Sequence, residues 1–304
     1  MVYLIDASVY VFRAWYALPA QLRDADGNPT NALYGFATML CELLQRRRPG
    51  YVGAAFDASR GGGFRTRLYP AYKANREPAP AELQRQFALC REFCRHLGVP
   101  EFASEEYEAD DLIGSLATRV RAEGLRVTIV TRDKDLAQLI GPGDVYWDYG
   151  GDTEYRHHEI AERFGVAPER MADFLALTGD AVDNVPGVPG VGRKTAAALL
   201  ARFASLEELY ADLGCVATLP LRGAASLGAR LQAHRDAAYR ARELTRVCCA
   251  APLGGGRELV RRREPDLPAV TAFCRRHGFG SSLPQQAQRI ARAPGGNEPP
   301  GVAW

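Results

Sequence analysis

The chain is poor in lysine. Only Lys73, Lys134 and Lys194 are lysines among 38 basic residues; the rest are arginines. The chain is rich in Arg and Ala, as a GC-rich genome encodes, so each surviving lysine is worth examining. Long apolar runs are also missing. No stretch reaches the roughly 18 residues that a membrane helix needs. The N-terminus, "MVYLIDASVY", has neither a basic leader nor a small-residue cleavage site and reads as a strand. These two absences predict a cytoplasmic protein. The seven cysteines are odd in number, and none forms a Cys-x-x-Cys, which argues against a disulfide framework or a zinc site and for free thiols. Charge of one sign is lacking too. The net charge is +2, so no global basic character advertises nucleic acid.

What is present is an alternation. "VYLID", "YVGAAFD" and "RVTIVTRDKD" are apolar runs ending at Asp6, Asp57 and the Asp133–Asp135 pair. Helical patterns lie between them at 31–48, 80–97 and 109–123. Strands alternating with helices predict an α/β domain with a central, mainly parallel sheet over residues 1–157. A helical region follows at 158–283, and a Pro- and Gly-rich tail at 284–304 is expected to be disordered. In open α/β sheets the site lies beyond the carboxyl ends of the strands. A single Asp there reads equally as a turn residue or a helix cap. Three strands ending in Asp make that coincidence harder to accept.

The acidic candidates are Asp6, Asp57, Glu108, Asp110, Asp111, Asp133, Asp135, Asp180 and Asp183. No histidine or cysteine accompanies them. Ligands that are all oxygen suit Mg²⁺ or Mn²⁺, not zinc. Two such ions about 4 Å apart hold a phosphodiester, activate water and stabilise the leaving oxygen. There is no Gly-x-Ser-x-Gly and no sign of a covalent nucleophile. Read alone, "EADD" is an acidic first turn favoured by the helix dipole, and "DKD" is a loop salt-bridged by Lys134. On an ideal helix Glu108 and Asp110 point about 200° apart, so they converge only at its entrance, with Glu108 at or before the cap.

Residues 178–199 read "TGDAVDNVPGVPGVGRKTAAAL". Gly187, Gly190 and Gly192 permit tight turns before a helix starting near Arg193, and amides there bind phosphate. Arg193 breaks the P-loop pattern before Lys194. A hairpin between two helices that grips a DNA backbone without reading sequence fits better than a plain linker. From 58 to 76, Arg60, Arg65, Arg67, Lys73 and Arg76 are interleaved with Phe64, Tyr69 and Tyr72, with no acid. That mixture suits a single-stranded nucleic acid end, or else a solvated connection. Arg222, Arg230, Arg235, Arg240, Arg242 and Arg246 form a looser second basic set.

In order, "LIDAS", "AFDAS", "FRTRLYPAYKANR", "YEADDLI", "TRDKDLAQL" and "TGDAVDNVPGVPGVGRKTA" resemble the 5′→3′ exonucleases and flap endonucleases, including the 5′-nuclease domain of bacterial DNA polymerase I. The resemblance spans about residues 2–283. It implies a PIN-like nuclease domain with a helical arch at about 58–90, plus a helix–three-turn–helix DNA-binding domain. By resemblance, Asp6, Asp57, Glu108 and Asp110 hold a first metal, and Asp133, Asp135, Asp180 and Asp183 a second. Asp111 matches an extra bacterial-type acid. Arg65, Tyr72, Lys73 and Arg76 match the arch; Lys73 and Arg76 are implied to contact the scissile phosphate, and Tyr72 to stack on a base. The turn with Gly187, Gly190, Gly192, Arg193, Lys194 and Thr195 matches the segment that binds duplex phosphates. In several relatives that segment surrounds a K⁺ ion held by backbone carbonyls, and the resemblance implies those of Val185, Val188 and Val191 here. The Gly triplet in "SRGGGFR" departs from the usual polar residues of relatives. The roughly 20 residues after 283 are too few for a polymerase domain, so the stand-alone form is expected.

The reading is therefore a monomeric, Mg²⁺-dependent 5′ nuclease (Mn²⁺ substituting) that acts near the nucleoid. It is expected to cut DNA with a 5′ end or 5′ flap, with no membrane and no small-molecule cofactor. Two rivals remain: a structure-specific DNA-binding protein with vestigial catalysis, and a PIN-type ribonuclease.

Overall fold

The computed structural model describes residues 1–58 and 62–293. Arg60 and the tail 294–304 lie outside the described residues. In the N-terminal half the chain runs β1 (Val2–Asp6), α1 (Ala7–Ala17), α2 (Asn31–Arg47), β2 (Val52–Asp57), α3 (Phe64–Leu68), α4 (Ala81–His96), β3 (Glu101–Ser104), α5 (Ala109–Ala122), β4 (Val127–Val130), β5 (Val145–Asp148) and β6 (Thr153–Arg156). The strands pair in the order β3-β2-β1-β4-β5-β6, all parallel except for the β5–β6 hairpin at one edge. The α/β expectation holds. The three apolar runs are the three central strands.

Alternation along each strand builds two cores. Val2 and Leu4 of β1, with Val127 and Ile129 of β4, meet Leu112, Ile113, Leu116 and Val120 of α5 on one face. Ile5, Val52, Ala54, Phe56 and Val130 meet α1, α2 and α4 on the other. Because β1 is flanked by β2 and β4 in parallel register, Asp6 and Asp57 emerge on the same edge of the sheet.

The second half is helical: α6 (His157–Phe164), α7 (Met171–Thr178), α8 (Arg193–Arg202), α9 (Leu206–Ala211), α10 (Leu213–Val216), α11 (Ala224–Ala233) and α12 (Arg235–Thr245). Its core is continuous with that of the sheet through Phe174, Leu175, Leu199, Leu244 and Val247. Beyond α12 the chain turns back. Arg262 N–H donates to Gly50 O (3.0 Å), Arg263 N–H to Gly98 O (2.8 Å) and Asp266 N–H to His96 O (2.8 Å). Two further helices, α13 (Leu267–Arg276) and α14 (Ser282–Arg292), then pack on α4 and α2 of the α/β body.

This corrects three expectations. The stretch 261–283 rests on the first body, not the helical one. The stretch 284–292, expected to be disordered, belongs to an amphipathic helix. Leu283, Ala287 and Ile290 are spaced for one face and buried, and that burial overrides a polar, Gln- and Arg-rich composition. The segment expected as an arch over 58–90 is also shorter. From Ala81 onward α4 buries Leu83, Cys90, Phe93 and Cys94 and belongs to the body. What remains is a strap of α3 followed by turns. Among the described residues no helix is long and apolar enough to cross a membrane.

Candidate active site

Asp6 ends β1 and is 5% exposed. Its Oδ2 accepts from the Thr131 hydroxyl (2.8 Å), and the same oxygen of Thr131 accepts from Asp133 N–H (2.9 Å). One buried threonine thus ties the end of β1 to the turn after β4. Sequence reasoning passed over it, although a Thr two residues before Asp133 is a local signal for such a turn. Asp57 ends β2 and accepts from the first helical amide of α5, Ala109 N–H, at 2.9 Å. The amide of Asp57 donates in turn to Ser8 Oγ (2.8 Å). The positive end of α5 therefore faces the strand ends.

Glu108 is the N-cap of α5, so "EADD" does open a helix at its entrance. Its Oε1 accepts from Lys73 Nζ at 2.7 Å and its Oε2 from the Tyr72 hydroxyl at 3.0 Å. Asp110 follows within the first turn, beside both Glu108 and Asp111. Asp133 caps the 3₁₀ turn Lys134–Leu139 by accepting from Asp135 N–H (2.9 Å). Asp180 accepts from Lys134 Nζ (2.5 Å) and from Val182 N–H (2.8 Å). Asp183 accepts from the Tyr72 hydroxyl (3.1 Å) and pairs with the Arg76 guanidinium.

Three of the expected residues are placed differently. Asp111 is fully buried and forms a bidentate pair with Arg65, at 2.6 and 2.7 Å. Its two oxygens also accept from Glu108 N–H (3.1 Å) and Cys248 N–H (2.8 Å). Arg65 completes its own donors on Leu244 O (2.8 Å) and Arg246 O (3.1 Å). Asp111 is thus a structural acid with its lone pairs spent, not a metal ligand. Arg65 is a buried anchor for the strap, not a DNA contact. Tyr72, expected to stack on a base, is 6% exposed and turned down onto the acids. None of these pairings could be read locally, since the partners lie 46, 179 and 111 residues apart.

The strap and the loop at 180–185 are laced together. Lys73 N–H donates to Asp183 O (2.9 Å), Asn75 Nδ2 to Ala181 O (3.0 Å) and Asn184 Nδ2 to Ala71 O (2.7 Å). Lys73 itself sits at φ +54°, a left-handed position that costs a non-glycine residue on the order of 1–3 kcal/mol. The glycine–proline turn is anchored by Val188 N–H on Leu177 O (2.9 Å). Gly187 lies so close to α7 that a Cβ would stand 2.3 Å from the Thr178 carbonyl carbon. Val185, Val188 and Val191 point their side chains into the core. The carbonyls of Val185 and Val188 already accept from Asp180 N–H (2.9 Å) and Val191 N–H (3.0 Å). Gly192 caps α8, whose first residues are Arg193, Lys194 and Thr195, with Lys194 exposed.

The electrostatics mark the acids as one group short of positive charge. Burial, then Asp57 and Asp133, push the Asp6 carboxyl up to about 8. Burial, then Asp133, push Asp135 to about 7. Burial raises Asp110 well above the usual range and raises Asp133 as well. Glu108 and Asp180 behave oppositely. Burial opposes their ionisation, but Lys73 and Arg65 hold Glu108 below the usual range, and Lys134 does the same for Asp180. The donor set fits a hard divalent cation: it is all oxygen, and the buried Asp135 Oδ1 accepts no hydrogen bond. Among the described residues, no three of these groups are drawn tightly enough together to hold one ion as they stand. Lys73 pairs with Glu108 and Asp183, and Lys134 with Asp135 and Asp180.

Residues 1–165 match the family model described as 5′-3′ exonuclease, N-terminal resolvase-like domain, and 166–268 the one described as 5′-3′ exonuclease, C-terminal SAM fold. The chain is 44% identical over 214 residues to the DNA polymerase I of Rhizobium leguminosarum, covering 68% of this chain and 21% of that protein. It is 37% identical over 284 residues to the DNA polymerase I of Bacillus caldotenax, covering 92% and 32%. It thus spans a third or less of the length of these relatives. Among solved structures it is similar to T5 5′-exonuclease with bound divalent metal ions (zinc), at TM-score 0.66 and 18% identity over 96% of this chain and 99% of that one. It is also similar to the catalytic core of Rad2 in complex with DNA substrate, at TM-score 0.63 and 16% identity over 95% and 90%.

Proposed function

This chain belongs to the 5′-3′ exonuclease family, and from that membership we propose that it is a structure-specific 5′ nuclease. In this reading it cuts DNA phosphodiesters at a free 5′ end or 5′ flap and acts as a monomer with the nucleoid in the cytoplasm. One observation supports it above the rest. Acids from the ends of β1 and β2, the cap of α5, the turn after β4 and the loop at 180–183 gather beneath a strap carrying Lys73 and Arg76.

Asp6, Asp57, Glu108 and Asp110 would hold one divalent ion; Asp133, Asp135, Asp180 and Asp183 would hold the other. Mg²⁺, with Mn²⁺ as a substitute, supplies Lewis acidity and makes water a competent nucleophile near neutral pH. The protein's own groups do the rest. Once released from Glu108, the Lys73 ammonium neutralises charge developing on the phosphate. Arg76, freed from Asp183, supplies a second cationic contact. The amides at Gly190–Thr195 and the exposed Lys194 hold duplex phosphates without reading bases. K⁺ held by the carbonyls of Val185, Val188 and Val191 would steady that turn; the carbonyls of Val185 and Val188 each keep one lone pair for it.

The test is a 5′-labelled flap duplex incubated with the protein in Mg²⁺ and in chelator. Cleavage is expected only with the metal. Asp133→Ala and Asp57→Ala should each abolish cleavage and leave flap binding intact. Persistent cleavage in both variants would remove the two-metal assignment.

A further inference from the structure

The proposed chemistry gives Lys73 a task and leaves Lys134 without one. Both ammonium groups nonetheless do the same thing in the structure: each bridges two carboxylates from different segments. Lys73 Nζ lies 2.7 Å from Glu108 and 3.7 Å from Asp183. Lys134 Nζ lies 2.5 Å from Asp180 and 3.3 Å from Asp135 Oδ1. The lysines differ in what carries them. Lys73 sits on the strap, whose backbone is bonded to the loop at 180–185. Lys134 opens the short 3₁₀ turn capped by Asp133, so its side chain departs from a hydrogen-bonded turn that also carries Asp133 and Asp135. That side chain is 35% exposed, which leaves it a path outward.

We propose that Lys134 is a positioning residue: its ammonium holds Asp135 and Asp180 together as a resident cation and must be displaced when a divalent ion enters that half of the site. The inference rests on the metal reading above. A divalent ion held by Asp135 and Asp180 would stand within a few ångström of the ammonium, so the two positive charges compete for the pair. Lys134 therefore sets the metal affinity of the Asp133, Asp135 and Asp180 half. It weakens that affinity relative to a neutral side chain, and it keeps two like charges from repelling each other when no metal is bound. A loop salt bridge with a purely structural role would have no such effect on metal affinity.

The measurement is Mn²⁺ binding to the DNA-free protein, read from the signal of free Mn²⁺ by electron paramagnetic resonance. Lys134→Met is expected to bind its weaker Mn²⁺ at least ~10-fold more tightly than the unaltered protein, as removing a cation a few ångström away requires. Lys134→Gln provides a second neutral side chain should the first fold poorly, with the same expected shift. Lys134→Arg, which keeps the charge, should follow the unaltered protein. Equal or weaker binding by both neutral variants overturns this inference alone. Failure of every protein, unaltered included, to bind Mn²⁺ overturns the metal reading and this inference with it.

Discussion

Replacing Asp111 by Asn separates a structural acid from a metal ligand. The carboxylate is fully buried, and Arg65, itself almost fully buried, meets it with two bonds of 2.6 and 2.7 Å. In Asp111→Asn the new amide would keep one acceptor for Glu108 N–H or Cys248 N–H but would present its N–H₂ to the guanidinium. A buried charge left without its partner costs about 3–5 kcal/mol, against a total stability of about 5–15 kcal/mol. At this chain length that is a fall in melting temperature of roughly 6–10 °C, at about 2 °C per kcal/mol. Arg65→Met should cost a similar amount, and the double variant Arg65→Met/Asp111→Leu less than the two singles summed, because the apolar pair leaves no orphan. Thermal unfolding followed by circular dichroism gives the stabilities. Flap cleavage in the cold, well below the transition, should remain close to that of the unaltered protein. An Asp111→Asn protein with an unchanged melting temperature and no cleavage would refute the placement and return Asp111 to the metal ligands.

The raised carboxyls make stability depend on pH in a defined direction. Asp6 at about 8 and Asp135 at about 7 bind protons more tightly folded than unfolded. Between the unfolded value near 4 and these values the folded state therefore holds the extra protons, and stability falls as pH rises. In chelator the melting temperature should drop from about pH 5 to about pH 8.5, and Mg²⁺ should restore it at the alkaline end; a flat profile without metal would contradict the shared-charge picture. Gly187→Ala places a Cβ 2.3 Å from the Thr178 carbonyl carbon and 2.4 Å from Gly179 N, so the turn must open. Fluorescence anisotropy should show weaker duplex binding, while Gly280→Ala, whose Cβ meets nothing within 4 Å and which lies outside the turn, serves as the near-neutral control.

Much of the architecture was legible because it obeys local rules. Apolar runs ending in Asp marked β1, β2 and the turn after β4, and the angular separation of Glu108 and Asp110 put Glu108 at a helix entrance, where it is the N-cap. Other features had no local trace. β3 and the β5–β6 hairpin have strands of four residues each and carry no long apolar run. α14 hid in a polar composition, although Leu283, Ala287 and Ile290 kept helical spacing. The roles of Asp111 and Arg65 depend on partners supplied by distant segments. In sequence an acid beside two other acids looks the same whether it faces a cation from solution or one from its own chain. Only the fold decides between them.

The return of the chain after α12 has a topological consequence. The helices from α6 to α12 leave the α/β body after β6, and the chain re-engages it at Cys248 and Ala251, whose N–H groups donate to Asp111 and Ser115 of α5, and again at Arg261–Arg263 beside Tyr51, Gly50 and Gly98. They form an inserted module tethered at both ends, not a bead on one linker. Such a module has few ways to swing: any rotation that lifts the glycine–proline turn away from the acids must move two crossings at once. The buried core that α6–α12 share with the sheet holds the module as well, so the two crossings reinforce a packed seat. For the proposed nuclease, that seat would set the distance from the held duplex to the cut phosphate.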